Sequence, residues 1–202
     1  MAKRLFDVLL SFSGLVVLSP LFLVVVLLIK LDSPGPVLFR QIRIGRNFAP
    51  FVIYKFRTMI DQPDQKEIYI AATQREKITS LGRILRKAKI DELPQLINVF
   101  KGEMSFVGPR PEAQRFVEIF RRDYEEILKV RPGITDLASI EYHQEGEILG
   151  NATDPDKMYI SKILPDKIRL AKEYLKRSSF FFDLSLIVKT VLRIIWSRGR
   201  AV

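Results

Sequence analysis

VLLSFSGLVVLSPLFLVVVLLI, from Val8 to Ile29, is 22 residues without a charge. A helix that spans a bilayer needs about 20 apolar residues, and this run has that length. Ser19-Pro20 lies close to its middle. Proline removes one backbone hydrogen bond and clashes with the turn before it. The run therefore reads either as one kinked span or as two short helices that enter and leave on the same side. Each half, Leu5–Leu18 and Leu21–Leu31, covers roughly 15–20 Å at a rise of about 1.5 Å per residue, or half a bilayer. The Ser19 hydroxyl is suited to a carbonyl freed near Pro20. A signal peptide does not fit, because Lys30-Leu31-Asp32 stands where a small-residue cleavage site belongs.

Basic residues flank both ends: Lys3 and Arg4 before the run, Lys30, Arg40, Arg43 and Arg46 after it. Such residues favour the cytoplasmic side, so both ends vote for the cytoplasm. The chain of 202 residues carries 33 basic and 23 acidic side chains, a net charge of +10. That excess calls for anionic partners, and beside a membrane segment anionic phospholipid and phosphorylated substrates outrank nucleic acid. Cysteine is absent, which excludes a disulfide framework and thiol chemistry. With one histidine, His143, a multi-histidine metal site is excluded too; His143 reads as an ordinary surface or substrate-edge residue.

The remainder, residues 32–202, is long enough for one compact domain. Ser33-Pro34-Gly35-Pro36 marks the turn out of the membrane segment. VLFRQIRIG and FVIYKFRTM alternate around Gly45-Arg46-Asn47 and predict a β-hairpin. Residues 61–76 read as a polar loop. A helix is expected from Thr79, with Ser80, Leu81, Ile84, Leu85 and Ala88 on one face and Arg83, Arg86, Lys87 and Lys89 on the other. A second helix is expected to start with Asp91 as N-cap and Pro94 in its first turn, and to stop at Gly102. GEMSFVGPRP and RPGIT read as tight loops, Glu112–Val130 and Lys157–Leu175 as helices, and residues 141–157 as a polar loop. In the last segment, Phe180–Arg200, Leu184, Ile187, Val188, Val191, Ile194 and Ile195 share one face opposite Lys189 and Arg193, with Trp196 near the end. That pattern suits a helix in the membrane interface, or one packed on the core.

Three elements carry candidate chemistry: Asp91-Glu92, Gly108-Pro109-Arg110-Pro111 and Arg131-Pro132-Gly133. A carboxylate at a helix start is favoured in its ionised form, as a nucleophile requires. Attack on phosphate also needs cations on the phosphate oxygens, and Arg86, Arg110 and Arg131 are candidates. Ordinary helix capping accounts for the same pair of acids.

As a string, these residues resemble the bacterial sugar transferase family, the monotopic polyprenyl-phosphate phosphoglycosyl transferases. The matching pieces are KRLFD at 3–7, Ser19-Pro20, SPGPVLFRQIRIG at 33–45, YKFRTM at 54–59, LGRILRKAKIDELPQLINVFKGEMSFVGPRP at 81–111 and VRPGIT at 130–135. The resemblance implies transfer of a phosphosugar from a UDP-sugar to undecaprenyl phosphate with release of UMP, the first membrane step of glycan assembly. It implies Asp91 as the nucleophile that forms a covalent phosphosugar intermediate. Glu92 would help deprotonate or position the acceptor, and Mg²⁺ would sit by Asp91. Lys55, Arg57, Arg86, Arg110 and Arg131 would bind phosphate or nucleotide. It also implies an α/β, predominantly helical fold: a re-entrant membrane hairpin over 1–31 broken at Ser19-Pro20, then a cytoplasmic catalytic domain over 32–202. That domain would hold a small β-hairpin and interfacial amphipathic helices, at the inner membrane of a bacterium. Asp136 and Ser139 depart from the usual pattern, where Gly and Gln are common. The donor sugar is left open, as is self-association through the hairpin or terminal helix. A rival reading is a non-catalytic basic adaptor on anionic membrane, which leaves the Arg-rich, Pro-braced setting of the acidic pair unexplained.

The hairpin reading predicts that reporter tags at Met1 and at Val202 both report cytoplasm. A periplasmic Met1 tag would remove the hairpin and leave the chemistry standing.

Overall fold

In the computed structural model, residues 2–60, 76–142 and 145–198 are described, with side chains as far as residue 193. Residues 61–75 of the loop expected over 61–76, His143 and the side chains of Ile194, Ile195 and Trp196 lie outside the described residues.

The apolar run forms two helices, α1 (Ala2–Val17) and α2 (Ser19–Asp32), bent by 59° at Leu18. Among the described residues no single helix is long and apolar enough to cross a membrane; this bent pair reaches that length and composition only together. The break has a local cause. Pro20 has no N–H to give Val16, and the Ser19 hydroxyl donates to the Val16 carbonyl instead, at 2.8 Å. α1 is inverted relative to a water-soluble helix. Its buried side carries Lys3, Asp7, Ser11 and Gly14, while Leu5, Leu9, Phe12 and Val16 are exposed. Gly14 lies close on Leu96, where an added Cβ would come within 3.2 Å of the leucine side chain.

The expected hairpin is present. β1 (Leu38–Ile44) pairs antiparallel with β2 (Pro50–Phe56), Leu38 opposite Phe56 and Ile44 opposite Pro50. Its turn places Asn47 and Phe48 in the left-handed region, with φ of 57° and 61°. Phe51 and Ile53 point inward to Val99 and Met104. Thr79 caps α3 (Ser80–Lys87) by accepting from Gly82 N, as its position predicts. Gly82 abuts the Thr58 carbonyl, where a Cβ would collide. α3 closes a small core of Val25, Ile29, Phe56 and Leu85.

Several expectations are corrected. Asp91 does not cap a helix: Ile90–Glu92 form a 3-10 turn, and α4 (Gln95–Lys101) begins after Pro94. Gly102 ends α4 in the left-handed region, as expected. The two tight loops each hold a short strand. β3 (Ser105–Val107) pairs parallel with β4 (Gly133–Thr135). The helix expected over 112–130 is two helices, α5 (Gln114–Ile119) and α6 (Arg121–Ile127), broken at Phe120, whose φ and ψ of −113° and 36° leave the helical range. The polar loop expected at 141–157 is largely helical. α7 (Leu137–Glu141) is capped by Asp136, and α8 (Glu145–Gly150) follows. Asp154 caps α9 (Pro155–Met158), which continues through one π-helical turn, Tyr159–Ile163, into α10 (Leu164–Arg177). The largest core gathers Phe116, Tyr124, Ile127, Leu164 and Ile168.

The last helix, α11 (Phe180–Arg198), follows both sequence readings on different faces. Leu186 is fully buried and packs with Val107 and Tyr174, with Phe182 and Ile187 beside them. Phe181, Leu184, Val188, Val191 and Leu192 are exposed.

Gly108 and Gly133 lie so close that a Cβ on either would collide with the backbone of the other segment. Gly133→Ala is expected to cost about 3 kcal/mol by forcing the β3–β4 pair apart. Thermal melting of the purified protein checks this, and an unchanged midpoint would contradict it.

Candidate active site

The site is built on the 3-10 turn between α3 and α4. Lys89 enters that turn in the left-handed region, φ 56°. A lysine there costs about 1 kcal/mol, so the surrounding packing imposes the turn. The result presents Asp91 and Glu92 on adjacent positions with different surroundings.

Glu92 is saturated with cations. Its Oε1 accepts from Lys55 Nζ at 2.7 Å and from Arg110 Nη2 at 2.8 Å. Burial opposes its charge, but Arg110, Lys55 and Lys89 outweigh burial and hold the carboxyl well below its ordinary range. The partner responds in kind: Glu92 raises the Arg110 guanidinium. Burial lowers Lys55, and Glu92 restores part of that loss.

Asp91 has the opposite setting. It is 9% exposed, and its Oδ1 is buried with no hydrogen-bond partner. Burial, then the Glu92 charge, raise its pKa above the ordinary 3.8, against the pull of Lys55, Lys89 and Arg86. The sequence favoured an ionised Asp91 through a helix dipole; no helix begins at Asp91, so that term is absent. Arg86 reaches from α3, fixed by its Nε–H on Thr58 Oγ1 at 2.7 Å. An anionic group arriving at Asp91 Oδ1 would supply no partner for it, whereas phosphorus or a cation would.

Arg110 is held from several directions. Its N–H donates to Asp136 Oδ2 at 3.2 Å, and Asp136 Oδ1 accepts from the Ser139 N–H and hydroxyl. Asp136 and Ser139, which both depart from the pattern the sequence resembles, thus bond to each other. Two residues beyond Arg110, buried Glu112 accepts from the Tyr159 hydroxyl at 2.8 Å and pairs with Arg43 and Lys167. The cavity between Arg110 and Lys167 measures about 10 Å³, room for one water at most. It is packing behind the site, too small for a sugar.

The structure therefore brings Lys55, Arg86 and Arg110 together with Asp91 and Glu92, and does not bring Arg57 or Arg131 there. Arg57 is buried and spends its guanidinium on the Ser33 and Pro34 carbonyls, at 2.6 and 2.8 Å. It fastens the end of α2 to β2. Arg131 Nε donates to the Gly102 carbonyl at 2.7 Å, near Arg46 and Arg4. Two residues of the site were not singled out from sequence. Lys89 acts on both carboxylates. Asp136 fixes the Arg110 backbone. A left-handed lysine leaves no sequence signal; Asp136 carries one, since Asp three residues before a serine is an N-cap pattern.

Among the described residues, no cluster of three or more carboxylate or histidine side chains could hold a metal ion. A hard cation that keeps several waters and binds substrate phosphates needs only one or two carboxylates from the protein. The partnerless Asp91 Oδ1 fits that mode.

Comparison with known proteins bears on this arrangement. The bacterial sugar transferase family model matches residues 1–197. The chain is 39% identical over 98% of its length to the UDP-N-acetylgalactosamine-undecaprenyl-phosphate N-acetylgalactosaminephosphotransferase of Aeromonas hydrophila, of which it spans 44%. It is 38% identical over 94% of its length to the UDP-glucose:undecaprenyl-phosphate glucose-1-phosphate transferase of Caulobacter vibrioides, of which it spans 68%. It is 35% identical over 98% of its length to the exopolysaccharide production protein ExoY of Rhizobium meliloti, of which it spans 88%. The chain belongs to the bacterial sugar transferase family.

A buried carboxylate oxygen without a partner costs about 1–3 kcal/mol. Asp91→Asn keeps an oxygen there but removes the charge that burial and Glu92 disfavour, and is expected to raise the melting temperature by a few degrees at neutral pH. A raised folded pKa favours the fold while Asp91 is protonated, and that contribution is lost as pH rises through the folded value. The gain from Asp91→Asn should thus appear above that value and vanish below the ordinary 3.8. A melting series across pH checks both parts; a gain that is largest in acid would contradict them.

Proposed function

We propose that this sugar transferase moves a sugar phosphate from a UDP-sugar to undecaprenyl phosphate, releasing UMP, through a covalent intermediate on Asp91. The observation that carries the reading is the contrast within the pair: Glu92 holds two cations while Asp91 Oδ1 beside it has no partner. The family membership and the printed activities of the Aeromonas and Caulobacter relatives support the substrate classes.

The residues divide the work. Lys55 and Arg110 lie against Glu92, and Arg86 and Lys89 face Asp91, so the diphosphate meets cations from three chain segments. Their charge offsets the repulsion between a carboxylate and a phosphate, and stabilises the oxygens as charge shifts to the leaving group. Asp91 attacks the sugar-linked phosphorus; an O–P bond forms and the P–O bond to UMP breaks. An ionised oxygen of undecaprenyl phosphate then attacks the same phosphorus, freeing Asp91 and giving the lipid diphosphate sugar. Mg²⁺ held at Asp91 would neutralise diphosphate charge when bound. Glu92, kept ionised by its cations, makes a weak base. Its part is to position Lys55 and Arg110 rather than to take a proton from the acceptor.

Membrane placement belongs to the same reading. Both ends of the α1–α2 pair are fastened to one domain: Arg4 donates to the Val99 and Phe100 carbonyls, and Arg57 holds Ser33 and Pro34. At about 1.5 Å per residue neither helix reaches the roughly 30 Å of a bilayer core. The outward Leu5, Leu9, Leu23, Leu27 and Leu31 form the kind of apolar surface that lipid covers. α1–α2 is then a re-entrant hairpin at the cytoplasmic face, with residues 32–202 as the catalytic domain. There a soluble UDP-sugar and a lipid-borne phosphate both reach Asp91. The two named relatives differ in their sugar, so the donor is a separate question.

The test is UMP release by the purified protein with UDP-sugars, Mg²⁺ and undecaprenyl phosphate. Asp91→Asn should lower turnover by about three orders of magnitude or more. With acceptor omitted, label from the sugar phosphate should stay on the wild-type protein and not on Asp91→Asn. Full turnover by Asp91→Asn would end the covalent reading, and no UMP from any UDP-sugar would end the activity itself.

A further inference from the structure

We propose that the first two turns of α1 belong to the active site's framework: Lys3 and Asp7 are positioning residues that grip β3 and so fix Arg110. The inference rests on the reading above, in which Arg110 meets the substrate's phosphates.

β3 is three residues long and has one strand neighbour, β4. A pair this short is not stable on its own. Two of its backbone groups bond to α1 instead. Phe106 N–H donates to Asp7 Oδ1 at 3.1 Å, and Lys3 Nζ donates to the Val107 carbonyl at 2.8 Å. Lys3 is itself aimed from two other helices. It donates to Tyr174 of α10 at 2.9 Å and to Asp183 of α11 at 2.5 Å, and the Tyr174 hydroxyl donates to Asp183 Oδ1 at 2.8 Å. Phe6, between the two polar residues, meets Phe106 and Phe180 edge-on. α1 thus acts on β3 as a further strand would.

From β3 the path to Arg110 has little freedom. Gly108 N–H donates to the Thr135 carbonyl, and the Pro109 carbonyl accepts from Gly133 N–H. Prolines on both sides of Arg110 fix their own φ. A shift of β3 therefore moves the guanidinium that sits 2.8 Å from Glu92. Burying a carboxylate and tying down an ammonium is costly in a helix that needs only apolar residues to anchor in lipid. Asp7 is 3% exposed, and its hydrogen bond to β3 gives that cost a purpose. The basic pair that signals topology in the sequence does structural work as well. Lys3 holds β3, and Arg4 holds the end of α4, the helix that follows the dyad.

The experiment uses the full chain in lipid nanodiscs, with Lys3→Met and Asp7→Leu set against Lys3→Arg and Asp7→Asn. The Asn amide oxygen still accepts the Phe106 N–H, and Arg still donates to Val107. The disruptive pair should raise KM for the UDP-sugar about tenfold and move KM for undecaprenyl phosphate less than about twofold; the conservative pair should stay near wild type. Loss of folded protein lowers kcat without splitting the two KM values. Hydrogen exchange provides a reading independent of activity. Amides at 106–110 should exchange about tenfold faster in the disruptive pair while those of α5 and α6 keep their protection. Unchanged protection at 106–110, or an even loss across the chain with no KM split, would overturn the inference. If wild type itself releases no UMP, the activity reading fails, and the exchange result still decides whether α1 holds β3.

Discussion

Glu92 Oε1 accepts from Lys55 and Arg110 at once, and much of the architecture serves that meeting. It ties together β2, the turn between α3 and α4, and the loop after β3, three segments far apart in sequence. Ions taken out of water repay their desolvation only when geometry and partners are good. Here two cations converge on one oxygen, and each is held by its own element. The consequence falls on the neighbour. Lys55, committed to Glu92, still acts on Asp91 through space, yet no cation donates a hydrogen bond to its Oδ1. One carboxylate organises charge and the other keeps an oxygen without a partner.

The same economy shows in the arginines. Four of the five cations expected at the site are arginines, and charge alone does not say which of them face a ligand. Arg57 donates to the Ser33 and Pro34 carbonyls and Arg131 Nε to the Gly102 carbonyl, away from the dyad. Arg86 and Arg110 have a side-chain partner and a carboxylate within their field. The acceptor decides function, and the acceptor is a tertiary property.

That distinction runs through what the sequence makes legible. Features set by a few neighbouring residues are read correctly: the break at Ser19-Pro20, the β1–β2 hairpin, the helix start at Thr79 and the Gly102 stop. Features set by distant contacts are not. β3 and β4 are three residues each and pair across a gap that includes two helices, so neither has a periodic pattern to betray it. Asp91 followed three residues later by Pro94, in what would be the first turn, carries the marks of a helix start. Lys89 in the left-handed region redirects the chain one turn earlier, and nothing in its letter announces that. The company of Lys55, Arg86 and Arg110 at the dyad was legible; Lys89, the absence of Arg57 and Arg131, and the inequality between the two carboxylates were not.

Under the proposed membrane placement, the inverted face of α1 makes the segment more than an anchor. In water, apolar burial would press such a helix onto its neighbour. In lipid that drive disappears, because acyl chains are as apolar as leucine, and close packing with hydrogen bonds must orient the helix instead. The inner stripe of α1 supplies both. Gly14 allows contact with Leu96 of α4, and Lys3 and Asp7 bond to β3. An all-apolar helix of the same length would enter lipid equally well and have no preferred rotation about its axis. The polar and small residues at spacings of four, four and three set that rotation, and with it the relation between the membrane plane and Asp91.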